Sequence, residues 1–311
     1  MYSIGVDIGG MSVKIGLVNE KGEIFKRGKT ATDVAGGADK IVSDIAKVIC
    51  ELADPSDADL AGIGIGCPGT ISSAIGVVDK AYNLNWENVA LADMLGKYIN
   101  KPIKVSNDAN VAALGETMFG VGKKYTDTIL LTLGTGVGGG VIINGELYEG
   151  AFSKGAELGH VVVRVDGEQC SCGRRGCLEA YCSATALIRD TKAAMVADKT
   201  SAMWKFSPDL EQVDGRTAFE CSKKGDAAAT KVVDNYVKFL AEGMMNFANV
   251  FRPQAIILGG GVSAQGKYLT DKLEAYCKAL DHGFAGAPVF EILVAELGND
   301  AGIIGAAALL F

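Results

Sequence analysis

Two stretches of this 311-residue chain repeat one pattern: YSIGVDIGGMSVKIGLVNEKGEI from Tyr2, and TILLTLGTGVGGGVIINGELYEG from Thr128. Each reads as strand, glycine turn, strand, short Gly-containing turn, strand. Gly9 aligns with Gly134, and a single gap precedes the second hairpin. An internal echo of this length argues for two similar α/β domains facing each other. Each domain then presents one glycine-tipped hairpin, and two such tips are suited to grip a phosphate chain.

The rest of the chain fits that plan. NEKG is a hairpin turn between VKIGLVN and EIFKRGK. A helix is expected over Asp39–Leu52, with Ile41, Ile45, Val48, Ile49 and Leu52 on one face. LAGIGIGCPG reads as a buried strand ending in a tight loop, and Leu91–Ile99 as an amphipathic helix. KPIKVSND is a strand running into a helix that begins near Asp108. AGIIGAAALLF at the C-terminus is an apolar helix rich in small residues, expected to pack back on the first domain. No low-complexity linker separates the halves.

Bulk composition excludes several classes. Hydrophobic residues make up 49% of the chain, which argues against disorder. A net charge of −7 provides no basic footprint for nucleic acid or anionic membrane. No run of eighteen apolar residues suggests a membrane span. The opening MYSIGVDIGG lacks a basic n-region and passes straight into a strand, so a signal peptide is not expected. A cytoplasmic chain in a reducing compartment is the expectation.

Several loops carry candidate chemistry. At the first turn, the backbone N–H groups of Gly9 and Gly10 suit anionic oxygens, with Ser12 and Lys14 as further phosphate contacts. Asp7 is suited to Mg²⁺ or a metal-bound water, although an ordinary Asp/Gly hairpin turn is the better account of this motif taken alone. The run Gly134-Thr135-Gly136-Val137-Gly138-Gly139-Gly140 is stronger, because five glycines in seven residues would weaken a plain strand. It is neither a Walker loop nor a Rossmann fingerprint. Gly259, Gly260 and Gly261 form a third turn, after the strand AIIL and before a helix. Strand ends of this kind border ligand crevices in α/β sheets; a tight strand-to-helix turn explains it almost as well. At Ser106-Asn107-Asp108-Ala109-Asn110, either Asn107 or Asp108 is suited to cap the following helix. Asp108 is equally suited to accept a proton from a hydroxyl attacking phosphorus, with Asn107 fixing a neighbouring hydroxyl.

The segment ELGHVVVRVDGEQCSCGRRGCLE, from Glu157 to Glu179, supplies His160, Cys170, Cys172 and Cys177 within eighteen residues. One imidazole and three thiolates are the ligand set of a closed tetrahedral zinc site. Buried thiols with His160 hydrogen-bonded in a core are the alternative, and Cys182 is a spare ligand. Glu157 and Glu179 bracket the cluster, where carboxylates on a rigid loop suit the vicinal hydroxyls of a sugar ring. A solvated face is the bland account of both.

Together these pieces resemble the ROK family of sugar kinases and sugar-responsive repressors. The resemblance is carried by Asp7-Ile8-Gly9-Gly10, Cys67-Pro68-Gly69-Thr70, Asn83-Leu84-Asn85-Trp86, Asn107-Asp108-Ala109-Asn110, Gly134 to Gly140, Glu157-Leu158-Gly159-His160, Cys170 to Glu179 and Leu258 to Gly261. It implies an α/β fold of duplicated actin-like ATPase (ribonuclease H-like) domains with a nucleotide cleft between them. The smaller domain is expected over 1–116 plus a C-terminal helix at about 299–311, and the larger over 117–298. Asp108 is implied as general base, with Gly69, Asn107, Asp108, Glu157, His160 and Glu179 on the sugar. His160 then faces zinc with one nitrogen and sugar with the other. Zn²⁺ would be structural, ATP the phosphoryl donor with Mg²⁺, and the assembly a homodimer. Two positions depart from the family: Met11 stands where a hydroxyl residue is usual, and Ile71-Ser72 where an aliphatic residue and Asp are common.

The resemblance implies ATP-dependent phosphorylation of a hexose at its 6-hydroxyl. Glucose is favoured, because NLNW and the CxCGxxGC form are closer to the glucokinase branch than to the fructokinase branch. N-acetylmannosamine kinase is the alternative within enzymes. A sugar-sensing repressor is the alternative outside them; its helix-turn-helix domain is not expected ahead of a first strand at Tyr2.

Overall fold

The computed structural model describes residues 1–281 and 289–311. The expected second-domain span of 117–298 therefore takes in residues 282–288, which lie outside the described residues. Two compact units divide the chain, one of residues 1–128, 140–156 and 296–311, the other of 129–139 and 157–295.

The first unit is built on β1 (Tyr2–Ile8), β2 (Ser12–Asn19) and β3 (Ile24–Ala31), followed by helix α1 (Gly37–Leu52) and strand β4 (Leu60–Cys67). A small antiparallel sheet of β5 (Thr70–Ser72), β6 (Val77–Ala81) and β7 (Trp86–Val89) comes next. Helix α2 (Leu91–Gly96), strand β8 (Ile103–Asn107) and helix α3 (Asp108–Met118) complete the run. The large sheet has the order β3-β2-β1-β4-β8, with β1 and β2 antiparallel and β1, β4 and β8 mutually parallel.

Alternation along β1 explains how its two faces are filled. Ile4, Val6 and Ile8 join a core with Ile41, Ile45 and Ile49 of α1, all at most 1% exposed. Truncating one of these isoleucines to alanine costs about 2–5 kcal/mol. Helix α2 is shorter than the expected 91–99: it ends at Gly96, a poor helix former, and Tyr98 and Ile99 both turn back to the Leu95 carbonyl.

The other face of the sheet takes the C-terminal helix α10 (Ala301–Ala308). Its small residues permit backbone-to-backbone packing. A Cβ on Gly5 would fall 1.9 Å from the Ile303 oxygen, and one on Gly64 would fall 1.7 Å from that of Ala306. The same helix brings Gly302 against Asp7, where a Cβ would lie 2.7 Å from the carboxyl carbon.

Strands β9 (Thr128–Leu133), β10 (Val137–Ile143) and β11 (Glu146–Tyr148) form the second hairpin system. The second unit adds α4 (Glu179–Cys182), α5 (Ala184–Ala197), α6 (Met203–Phe206), α7 (Thr217–Ser222) and α8 (Ala227–Phe251). Strand β12 (Ala255–Gly259), helix α9 (Lys267–Leu280) and strand β13 (Glu291–Val294) follow. Their sheet has the order β11-β10-β9-β12-β13, the same arrangement as β3-β2-β1-β4-β8. The repeat seen in the sequence is a repeat of sheet topology. Among the described residues, no helix is long and apolar enough to cross a membrane.

Candidate functional site

At the first glycine turn, the Gly9 N–H donates to the Ser12 carbonyl at 3.1 Å, and the Thr32 hydroxyl donates to the Gly9 carbonyl at 2.6 Å. A Cβ on Gly10 would meet only Asn83 Cβ at 3.9 Å, so the tip is open. Met11 offers no hydroxyl and is 90% exposed. Burial pushes the Asp7 carboxyl above the usual range, and Lys14 Nζ, 3.6 Å from Asp7 Oδ2, works against the shift.

The end of β8 positions Asn107 and Asp108. Asn107 is the N-cap of α3: its Oδ1 accepts from the Ala109 N–H at 2.8 Å, and its Nδ2 donates to the Gly69 carbonyl at 2.9 Å. Gly69 holds φ +105, and a Cβ there would lie 2.1 Å from the Lys80 oxygen, so only glycine fits this bend. Asp108 is the first helical residue and is exposed, and its Oδ1 also accepts from Ala109 N–H, at 2.8 Å. Beside it, Cys67 pairs in register with Asn107. Burial, with Asp108 adding, pushes the Cys67 thiol far up, and it donates to the Pro68 carbonyl at 3.6 Å. Cys67 therefore stands beside Asp108 as a neutral thiol. Ser72, at one of the departing positions, donates to both oxygens of Asp79, and Asp79 also pairs with Lys154 at 3.3 Å.

In the second unit, the run from Gly134 is held on both sides. Ala184 N–H donates to the Gly134 carbonyl at 2.7 Å, and the Thr185 hydroxyl to that of Thr135 at 2.8 Å. Gly138 N–H donates to the Thr132 hydroxyl at 3.2 Å. Part of the glycine content has a packing cause: a Cβ on Gly136 would fall 2.5 Å from Glu179 Oε2, and one on Gly139 2.7 Å from Leu158. Gly134 is different, with only the Gly136 oxygen, at 4.0 Å, near its Cβ position. In the third turn, Gly259 ends β12, Gly260 lies against the Leu133 carbonyl, and Gly261 borders open space. A 3₁₀ turn over Gly261–Gln265 leads from this glycine turn to α9.

The fold brings His160, Cys170, Cys172 and Cys177 together, with all four ligand atoms within 4.8 Å of one another. Tight turns make this possible: Cys170 N–H donates to the Arg174 carbonyl at 2.9 Å, and Val162 and Cys177 form a bridge. Tetrahedral zinc with ion–ligand distances of about 2.3 Å for sulfur and about 2.1 Å for nitrogen requires edges of about 3.8 and about 3.6 Å. Cys172 Sγ and Cys177 Sγ are 3.7 Å apart, and Cys170 Sγ and His160 Nδ1 are 3.6 Å apart. The residues fit the ion. Burial, with the adjacent thiols adding, pushes Cys177 up to about 12, so three thiolates share this space only around a cation. Cys182 stands apart, fully buried with its thiol 3.9 Å from the Tyr236 carbonyl.

Glu179 links this cluster to the glycine run. Its Oε1 accepts from the Ser171 hydroxyl at 2.5 Å, and its Oε2 from the Val137 N–H at 3.0 Å. Glu157 is exposed at the start of a 3₁₀ turn, and its carbonyl accepts from the His160 N–H at 3.0 Å. With Nδ1 beside Cys170, His160 has Nε2 as its other ring nitrogen. Sequence reasoning overlooked Ser171 and Glu149. Ser171 lies inside the cysteine segment but is not a ligand type for zinc, and Glu149 carries no local signal because its partners, Ser73, Ser106 and Asn110, are distant in the chain.

The profile of the ROK family matches residues 3–311. A glucokinase of Thermotoga maritima is 39% identical over 311 residues, covering 99% of this chain and 96% of the relative. The crystal structure of a ROK family glucokinase from Streptomyces griseus in complex with glucose and AMPPNP has a TM-score of 0.80 at 35% identity, covering 99% of both chains. That of the ROK hexokinase from Thermus thermophilus has a TM-score of 0.84 at 27% identity, covering 99% of this chain and 97% of that one.

Proposed function

This chain belongs to the ROK family, with its two-domain actin-like ATPase fold, and from that premise we propose that it is a hexose kinase that makes glucose 6-phosphate from glucose and ATP. The observation that carries the reading is the full-length similarity, at 35% identity, to a glucokinase crystallised with glucose and AMPPNP. Asp108, exposed at the first helical position beside the N-cap Asn107, is the carboxylate assigned to base chemistry.

The 6-hydroxyl oxygen attacks the γ-phosphorus while Asp108 takes its proton. The bond to the bridging oxygen breaks, and ADP leaves with the electron pair. A positioned carboxylate suffices because phosphoryl transfer depends mainly on alignment and charge stabilisation. Asn107, Glu157, His160 Nε2 and Glu179 are assigned to sugar hydroxyls, with Gly69 lining the pocket. Glu179 would then release or share its bond to the Val137 N–H. Gly10, Gly134 and Gly261, whose Cβ positions meet nothing closer than 3.9 Å, are the glycines assigned to the nucleotide.

Mg²⁺ neutralises charge on the transferring phosphates when bound; Asp7, a single half-buried carboxylate, suits an ion that keeps most of its waters. His160 Nδ1, Cys170, Cys172 and Cys177 would hold Zn²⁺ as a staple for the segment carrying Glu157 and Glu179. A homodimer and a cytoplasmic setting complete the proposal.

The test is ADP release measured over a panel of hexoses and N-acetylhexosamines. Glucose should have the highest kcat/KM. A preference for N-acetylmannosamine would reassign the substrate within the kinases, and no turnover on any sugar would remove the kinase reading.

A further inference from the structure

We propose that Glu149 is a positioning residue for Asp108, holding the β8–α3 junction through Ser106 and Ser73; the assignment rests on the kinase reading above. Glu149 follows β11 and is half-buried. Its Oε1 accepts from the Ser106 hydroxyl at 2.6 Å and the Ser73 hydroxyl at 2.7 Å, and lies 3.4 Å from Asn110 Nδ2. Ser106 and Asn110 bracket Asp108 by two residues on either side, and are 1% and 7% exposed.

Ser73 begins the 3₁₀ turn after β5, four residues beyond Gly69. The segments 69–73 and 106–110 meet at the Asn107–Gly69 hydrogen bond, and one carboxylate oxygen ties both of them. The short contacts are of the charge-assisted type, stronger than those between neutral partners. Without that oxygen, the Ser106 hydroxyl would lose its acceptor in a buried strand end and keep only the 3.5 Å contact from Asn110 Nδ2, and an unmet buried donor is costly. The junction would relieve that cost by shifting. A misplacement of about 1 Å at a reacting group can lower the rate about 10²-fold.

Glu149 is itself held in place. Its carbonyl accepts from the Gly155 N–H at 2.7 Å, and Gly150 and Gly155 pack backbone to backbone. The small sheet is tied to the same loop by the Lys154–Asp79 pair.

The experiment measures kcat, KM for glucose and ATP, and Tm for the wild-type chain and for Glu149→Ala, Glu149→Gln and Ser106→Ala. Glu149→Ala should lower kcat per folded molecule about 10–100-fold, with KM for ATP within about twofold. Glu149→Gln keeps an acceptor oxygen for the two serines and should recover most of that loss. A kcat for Glu149→Ala within twofold of wild type, or one falling only with the folded fraction, would overturn the proposal, as would a Glu149→Gln variant as slow as Glu149→Ala. If Glu149→Ala fails to fold, Ser106→Ala and the Ser106→Ala/Glu149→Gln pair decide. Ser106→Ala removes the donor to Glu149 and should lower kcat, and the double variant should be no slower than Ser106→Ala alone, because Glu149→Gln keeps its acceptor oxygen; a further loss in the double variant would count against the proposal. Wild-type turnover in the same assay separates the two failures: an inactive wild type removes the kinase reading itself, and this assignment with it.

Discussion

Asn107 Nδ2 donates to the Gly69 carbonyl at 2.9 Å while the oxygen of the same amide caps α3 at 2.8 Å. One side chain therefore fixes both the bend at Gly69 and the helix that starts at Asp108. Asn107→Ala should cost about 0.5–2 kcal/mol through the lost cap and raise KM for glucose more than KM for ATP. Gly69→Ala should be worse, because its φ of +105 and the Lys80 oxygen 2.1 Å from a Cβ leave no room. Thermal melts and initial rates on the two variants check the order; a Gly69→Ala chain as stable as wild type would contradict it.

Asp7 is a place where stability and function should oppose each other. Burial raises its carboxyl pKa in the folded state. A group with a raised folded value favours folding fully below its unfolded pKa, and that contribution is lost as pH rises through the folded value. At neutral pH the ionised Asp7 is therefore a net cost. Asp7→Asn should raise Tm at pH 7, with the gain shrinking as pH falls towards about 4, while kcat falls. Melts at several pH values test this, and a lower Tm for the variant at pH 7 would show that the Lys14 pair outweighs burial.

Metal content should be one zinc per chain by elemental analysis. Chelation should lower Tm and weaken glucose binding, because Glu157 and Glu179 lose the order that His160 and the cysteines impose. Glu179 also reaches the Val137 N–H, so nucleotide binding should weaken in parallel. Calorimetry of both ligands before and after chelation measures this. A zinc-free chain with unchanged affinity for both would contradict the staple.

The sequence made some of this legible and hid the rest for physical reasons. The repeated hairpins were readable because their glycine tips recur at one register, and α1 because Ile41, Ile45 and Ile49 form a stripe. The small sheet of β5 to β7 went unread: strands of three to five residues are too short to show an alternation. The run at Gly134 is better explained in the sequence by phosphate binding than by structure alone, yet a Cβ on Gly139 would fall 2.7 Å from the buried Leu158, and one on Gly136 2.5 Å from the end of the Glu179 side chain. Contacts between residues so distant in the chain leave no local periodicity. Glu149 is the clearest such case, an isolated acidic residue whose partners lie 39, 43 and 76 positions away.

The most direct measurement is coupled ADP release with glucose by the wild-type chain and by Asp108→Asn, alongside calorimetric glucose binding to the variant. The account predicts glucose 6-phosphate from the wild type, and a variant that still binds glucose but turns over about 10²–10⁴-fold more slowly. A variant that bound glucose and kept near-wild-type turnover would contradict it.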